Sequence, residues 1–167
     1  MSRQTLIADI GLGLIGGYVG TKLMGPVSTK LLNMESEAAK KQENAVSPGS
    51  PYELAARKTA DLLGLHLSDD TITKVGTPIF HYGLGASWGP LYTLLRRENI
   101  NPVWATLATS AAPFLIVDET LTPRLGLSAP DLAYPAATHI RGALSHLAFG
   151  LGVAASVEVL AWLGRRA

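Results

Sequence analysis

The chain has 167 residues, of which 47% are hydrophobic and 16% are charged, and its formal net charge is +1. Roughly 25% of the residues in an average soluble domain are charged, so much of this chain is poor in groups that favour water. The net charge near zero excludes the strongly basic surface of a nucleic-acid-binding protein. The absence of cysteine excludes disulfides, thiolate catalysis and cysteine-ligated metal centres.

Four long stretches of the chain carry few or no charged side chains. A helix needs about 20 mostly apolar residues to cross the roughly 30 Å hydrocarbon core of a bilayer, and each stretch approaches that length. The clearest runs from Val75 to Leu95 and contains no Asp, Glu, Lys or Arg. We predict an all-α, integral membrane four-helix bundle, a single membrane domain over residues 1–167 in contact with the lipid bilayer. Its spans are expected at about 5–25, 75–96, 100–121 and 138–163, and the alternative is a soluble bundle of four buried helices.

Glycine pairs spaced four residues apart occur in two of the predicted spans. This G-x-x-x-G spacing places two patches without side chains on one helix face, where another backbone can approach closely. The glycines are predicted to pack helices, either within the bundle or at a homo-oligomer interface. The pairs are Gly13 with Gly17, Gly16 with Gly20, and Gly85 with Gly89.

A polar segment, residues 33–74, separates the first two predicted spans. It contains the turn-forming cluster NAVSPGSP at residues 44–51. After this cluster, the apolar spacing predicts a short amphipathic helix that starts near Pro51 and ends near Gly64. Such a helix lies on the membrane surface or caps the bundle, and its alternative role is to dock a partner protein.

The flanks of the spans indicate the orientation and the cellular location. Basic residues favour the cytoplasmic side of a membrane, and four spans place both termini on that side. The N-terminal segment is interpreted as a retained helix rather than a signal peptide, because Asp9 interrupts its apolar core. The sequence thus predicts a multi-pass protein of the bacterial inner membrane with cytoplasmic termini. The arginines that carry this prediction are Arg3, Arg96, Arg97, Arg165 and Arg166.

Several titratable side chains inside the predicted spans fall at one depth when a rise of 1.5 Å per helical residue is applied. Ionisable groups are costly inside a bilayer, so they are expected to face the bundle interior and to contact one another. We predict that they form a polar cluster in the outer half of the bundle, with Lys22 and Arg141 as candidate charge partners. The cluster residues are His81, Asp118, Glu119, His139 and His146.

This polar cluster has three interpretations. In the first, the cluster is a hydrogen-bonded network that fixes helix register, with an acid paired to Arg141 or Arg124. In the second, it is a site that handles protons or ions, since histidine titrates near neutrality. In the third, it is a metal site, because imidazole and carboxylate suit zinc, manganese or non-haem iron, although the sequence contains neither H-x-x-x-H nor E-x-x-H. The candidate metal ligands are His81, Glu119 and His146, and no cofactor is predicted.

Five short motifs occur in order in the C-terminal half: HYGLGASWGPLY at 81–92, DETLTPRLGL at 118–127, Tyr134–Pro135, His139, and HLAFG at 146–150. This order resembles the YagU-like family of bacterial inner-membrane proteins of unknown function. The resemblance covers about residues 77–167 and implies a multi-span helical protein of the inner membrane. It implies no established reaction, ligand or cofactor.

The leading functional hypothesis is a membrane protein that handles protons or a small polar solute through the polar cluster. The alternative from another class is a non-catalytic subunit or scaffold, in which the glycine faces and the amphipathic helix of the polar segment dock a membrane protein partner. A metal-dependent membrane enzyme is the third hypothesis. The chain lacks a nucleotide-binding glycine loop, a G-x-S-x-G elbow and an H-E-x-x-H motif, which favours a non-catalytic protein and leaves enzymatic activity open.

Overall fold

The fold consists of helices and connecting turns throughout residues 5–164, the part of the chain that the computed structural model describes. Helix accounts for 84% of the chain, and the described residues contain no strand. The predicted all-α class is therefore confirmed. In chain order the helices are α1 (Leu6–Met34), α2 (Glu37–Val46), α3 (Pro51–Leu62), α4 (Asp69–Thr71), α5 (Thr77–Arg97), α6 (Pro102–Ala112), α7 (Thr122–Arg124) and α8 (Ala136–Gly164).

Two π-helical segments connect these helices without a break. Ile72–Gly76 joins α4 to α5, and Pro113–Leu121, here called the π segment, joins α6 to α7. The long helices α1 and α8 have 29 residues each and are long and apolar enough to cross a membrane.

The polar segment between the first two predicted spans is more helical than the sequence indicated. Helix α1 continues through Pro26 to Met34, and α2 forms next, where no helix was predicted. Charged side chains mark the end of a predicted membrane span, but a helix can continue through them. For this reason the sequence predicted too short a first helix and no α2. Helix α3 lies where the amphipathic helix was expected, and Ser50 caps its first turn.

Helix α3 packs against the start of α5 and the π-helical turn before it. Ala56 and Ala60 of α3 form a small buried cluster with Ile72, and Phe80 packs against it. Burial of its apolar face holds α3 over one end of the long helices, as a cap.

Helix α1 packs between α5 and α8, while α6 contacts α8 and α5. One face of α1 presents Gly17 to α5, where an added Cβ would lie 2.5 Å from the carbonyl oxygen of Gly85. The other face presents Gly20 to α8, where an added Cβ would lie 2.7 Å from the carbonyl oxygen of Phe149. Gly13 and Gly16 are buried in the same two contacts. The glycine faces of α1 are therefore occupied within one molecule and are not open to a homo-oligomer interface.

Small polar side chains share the space between the long helices with a core of Tyr92, Phe149, Val153 and Val157, whereas many other large apolar side chains lie outside. Thr93 and Thr109 are fully buried, and Ser145 is 1% exposed. In contrast, Ile15 is 53% exposed and Ile79 is 62% exposed. Water-soluble proteins rarely expose large contiguous apolar surfaces, so the number of exposed large apolar side chains is unusual for such a protein. Other large apolar side chains more than half exposed are Val103, Trp104, Leu115, Ile140, Leu151 and Val159.

The contact between α1 and α5 predicts that the same substitution lowers stability at one glycine of α5 and does not lower it at another. Gly89→Ala should lower the free energy of unfolding by about 1 to 3 kcal/mol, because the added Cβ overlaps the carbonyl oxygen of Gly13. Gly83→Ala is the matched control, because nothing lies within 4 Å of its added Cβ. It should be neutral or stabilising by up to about 1 kcal/mol, the helix preference for Ala over Gly. Thermal unfolding of both purified variants measures the difference, and equal transition temperatures would contradict the close contact.

Candidate functional site

A cavity of about 720 Å³, here called the main cavity, lies beneath α3. Its walls come from α3, the π segment, the N-terminal part of α8 and the connection before α8. Asp118, Glu119 and His139 all line it. The structure thus brings three of the five residues of the predicted polar cluster to one cavity.

The π segment places the two acids on this wall. Proline has no N–H group and cannot continue the hydrogen-bond pattern of α6, and the wider helix begins at Pro113. The N–H of Thr122 donates to the carbonyl oxygen of Val117, five residues earlier. A π-helical turn changes the direction of every side chain after it, and such turns are frequent at functional sites. Asp118 and Glu119 both lie within this widened segment.

Glu119 pairs with His139 across the wall of the main cavity. Glu119 Oε1 lies 2.8 Å from His139 Nδ1, and His139 Nε2 lies 3.1 Å from the carbonyl oxygen of Asp131. A carbonyl oxygen only accepts, so Nε2 carries a hydrogen in this arrangement. The contact at Nδ1 then requires a second proton, held either by the imidazole or by the carboxyl group of Glu119.

Asp118 faces His146 in a similar way but at a longer distance. His146 Nδ1 donates to the carbonyl oxygen of Gly142 at 3.0 Å, one turn earlier in α8. Its Nε2 therefore points to Asp118 Oδ2, 3.7 Å away. A neutral imidazole with its hydrogen on Nδ1 presents a lone pair at Nε2, which an ionised carboxylate repels. A proton between the two groups makes the contact attractive, so this pair is also a place for one exchangeable proton.

His81 belongs to neither pair. Its ring contacts Tyr52 of α3 edge-on, with 4.6 Å between ring centroids, and its Nδ1 is buried without a hydrogen-bond partner. A second cavity of about 30 Å³ separates His81 from Asp118 and His146, all three of which line it. This volume and these polar walls fit one water molecule.

The two candidate charge partners do not contact the cluster as expected. The Lys22 Nζ atom lies over the ring of Tyr82, 4.6 Å from its centroid. Arg141 binds Glu35 at 2.5 Å and Glu43 at 2.6 Å, rather than Asp118 or Glu119. The sequence analysis missed both glutamates because it assigned them to a solvated loop. Arg141 thereby ties the end of α1 and helix α2 to α8.

A second group of charges lies at the opposite end of α1 and α8. Arg97 binds Asp9 at 2.7 Å, and Asp9 is 3% exposed. Arg96 binds Glu158 at 2.8 Å, and the Tyr92 hydroxyl also donates to Glu158. These contacts neutralise buried acids and hold α5 against α1 and α8, which is a structural role. Of the other arginines used to predict orientation, Arg3, Arg165 and Arg166 lie outside the described residues.

The candidate metal ligands are not brought together. Glu119 pairs with His139, whereas His146 faces Asp118 and His81 lies across the small cavity. Within residues 5–164, no group of three His, Asp or Glu side chains is arranged to hold a metal ion. The expected triad of His81, Glu119 and His146 is therefore not assembled in this structure.

Comparison of the chain with protein-family models, with curated proteins and with solved structures finds no match. The resemblance to the YagU-like family thus stays a prediction from the sequence motifs. The main cavity and its acid–imidazole pairs are therefore the features of the molecule that indicate a function.

The contacts of Glu43 predict a pH-dependent stability. Burial opposes ionisation of Glu43, but hydrogen bonds from Arg141 and Thr138 outweigh it and lower the pKa of this carboxyl group below its usual value of 4.5. Its contribution to stability is therefore complete above pH 4.5 and is lost as the pH falls through the lower, folded-state pKa.

Glu43→Gln should lower the free energy of unfolding at pH 7 by about 1 to 2 kcal/mol, because it removes charge-assisted hydrogen bonds. Its effect should disappear at a pH below the folded-state pKa of Glu43. Glu37→Gln in the same helix is the control, since the Glu37 side chain is 90% exposed and contacts Lys40 at the surface. Chemical denaturation at several pH values measures both variants, and an equal loss in each would contradict the assigned role of Glu43.

Proposed function

We propose that the chain is an integral membrane protein of the bacterial inner membrane that handles protons. In this proposal, α1, α5, α6 with the π segment, and α8 form a four-helix bundle across the bilayer. The outward-facing apolar side chains and the small polar interior support this placement, because lipid solvates apolar groups and helices in lipid associate through small residues. Arg96 and Arg97 at one end of α5 favour a cytoplasmic location for that end and for both termini.

The observation that carries the functional proposal is the pairing of two acids with two imidazoles beside one cavity. In each pair a carboxylate oxygen faces an imidazole nitrogen, at 2.8 Å and 3.7 Å, and one proton placed between them makes the contact attractive. Ionisable groups inside a membrane bundle commonly mark proton relays. Asp118 is 41% exposed at its side chain, whereas His146 is 8% exposed, so a proton can enter from the main cavity at Asp118 and pass inward to His146.

His81 extends this path. Its buried Nδ1 lacks a partner, and a water in the small cavity would connect it with Asp118 and His146. The order Asp118, His146, water, His81 leads from the open cavity through the buried His146 to the half-buried His81. Imidazole suits such a path, because it takes up and releases a proton near neutral pH.

The other two hypotheses receive less support from these observations. A scaffold would dock a partner through its glycine faces and the amphipathic helix α3. The glycines of α1 are buried against α5 and α8, and the apolar face of α3 packs against the start of α5. A metal-dependent enzyme needs convergent ligands, but the described residues do not provide them.

The membrane assignment predicts how the protein fractionates. The full chain should remain in the membrane pellet after an alkaline carbonate wash and should enter solution with detergent, because its apolar surface requires lipid or detergent. Release by carbonate alone would contradict the assignment.

Proton handling predicts a specific loss on substitution of Asp118. Purified protein is reconstituted into liposomes that contain a pH-sensitive dye, and a potassium diffusion potential drives protons. We expect wild type to acidify or alkalinise the lumen faster than empty liposomes, and Asp118→Asn to slow the change at least tenfold because it removes the first proton acceptor.

Asp61→Asn is the matched control, because Asp61 is an exposed acid of α3 that does not line the main cavity. It should retain the wild-type rate. A proton flux in wild type no greater than in empty liposomes, or an Asp118→Asn rate equal to the wild-type rate, would defeat the proposal.

A further inference from the structure

The main cavity is large enough for an organic ligand. Its volume of about 720 Å³ lies within the range of ligand-binding sites in proteins, roughly 300–1,000 Å³. Much of its wall is aromatic or aliphatic, so it suits the body of an apolar molecule. The apolar residues on several sides of the wall include Phe80, Leu84, Phe114, Val117, Leu121 and Leu127.

The charged groups on the wall are unbalanced. Four carboxylates line the cavity, those of Glu43, Asp118, Glu119 and Asp131, whereas the permanently charged cations are Lys58 and Arg141. Arg141 is already bound by Glu43 and by Glu35. The Lys58 ammonium group donates to the carbonyl oxygen of Leu125 at 2.5 Å. When the Glu119–His139 pair keeps its proton and the Asp118–His146 pair has lost its own, the lining groups carry an excess of one negative charge, which is the charge of Asp118.

Asp118 is the acid with the weakest compensation. Its carboxylate forms no hydrogen bond within the described part of the chain, and its contact to His146 Nε2 is 3.7 Å long. Glu43 binds Arg141, and Glu119 binds His139 at 2.8 Å. An additional positive group in the cavity would therefore have its most favourable electrostatic interaction beside Asp118.

Ser145 provides an independent indication of a ligand. This residue of α8 is 1% exposed and borders the main cavity, yet its Oγ atom has no hydrogen-bond partner. A buried hydroxyl group without a partner costs free energy. A ligand that enters this side of the cavity would bring atoms next to this hydroxyl group, which can both donate and accept a hydrogen bond.

We infer that the main cavity binds an amphiphilic organic cation, with its apolar body against the aromatic and aliphatic wall and its positive group beside Asp118. The inference rests on the proposed function, because it assigns a ligand to the acid that also exchanges a proton. A fatty acid or another amphiphilic anion fits poorly, because its head group would face Asp118 and Glu119. A bound cation and a bound proton then compete for the same carboxylate.

Two ions of closely similar shape and opposite charge test this inference. The full-length protein is placed in lipid nanodiscs at pH 8, where imidazole is mostly neutral, with no proton gradient. Binding of labelled tetraphenylphosphonium and tetraphenylborate is measured by equilibrium dialysis against empty nanodiscs. We expect saturable binding of about one tetraphenylphosphonium per chain above the empty-disc background, and no saturable binding of tetraphenylborate.

Two variants change different properties of the cavity. Asp118→Asn removes the negative charge and should weaken tetraphenylphosphonium binding at least tenfold. Leu121→Trp keeps every charge but fills part of the cavity, and it should also weaken binding at least tenfold. Asp61→Asn, outside the cavity, should bind as wild type does, and thermal unfolding confirms that each variant is folded.

Equal binding of both ions, or unchanged binding in the two cavity variants, would overturn the inference. Because no proton gradient is applied, the result is separate from the liposome experiment. Proton flux without saturable cation binding would defeat only the ligand assignment. Cation binding without proton flux would defeat only proton handling.

Discussion

The close approach of α1 to α5 and α8 is the contact on which the remaining structure depends. Glycines on two faces of α1 remove the side chains that would hold the neighbouring backbones apart, and a Cβ on Gly17 would lie 2.5 Å from the Gly85 carbonyl oxygen. Dispersion attraction falls rapidly with separation, so helices that approach this closely gain many atomic contacts. The helices can then bury small polar side chains such as Thr93 and Thr109 beside a core of Tyr92, Phe149 and two valines of α8.

The position of the polar groups follows from this packing and from charge pairing at the two ends. Arg97 with Asp9 fixes one end of α1, whereas Arg141 with Glu35 fixes the other. The ion pair between Glu43 and Arg141 holds the polar segment after α1 over the end of the helices. Helix α3, in the same segment, forms the top of the main cavity. Ion pairs that are partly buried lose hydration, and their value therefore depends on the accurate geometry that the packed helices provide.

The proposed proton and cation sites have one carboxylate in common. Asp118 lies where the large cavity and the small cavity meet, because it lines both. A group in this position can exchange a proton with His146 on the inner side and face an organic cation on the outer side. Binding of either positive species reduces the negative charge available to the other, which is a direct electrostatic coupling between them.

The sequence by itself determined the helical class, the two long apolar helices α1 and α8 and the level along the helices at which His81, Asp118 and His146 meet, because each depends on local composition and on a fixed rise per residue. It did not determine the partner of Arg141 or the role of the glycine pairs. Those were decided by the tertiary structure, since they depend on which helix faces lie together. The direction of Asp118 was also decided there, because a π-helical segment after Pro113 rotates every following side chain by an amount that regular helical spacing does not include.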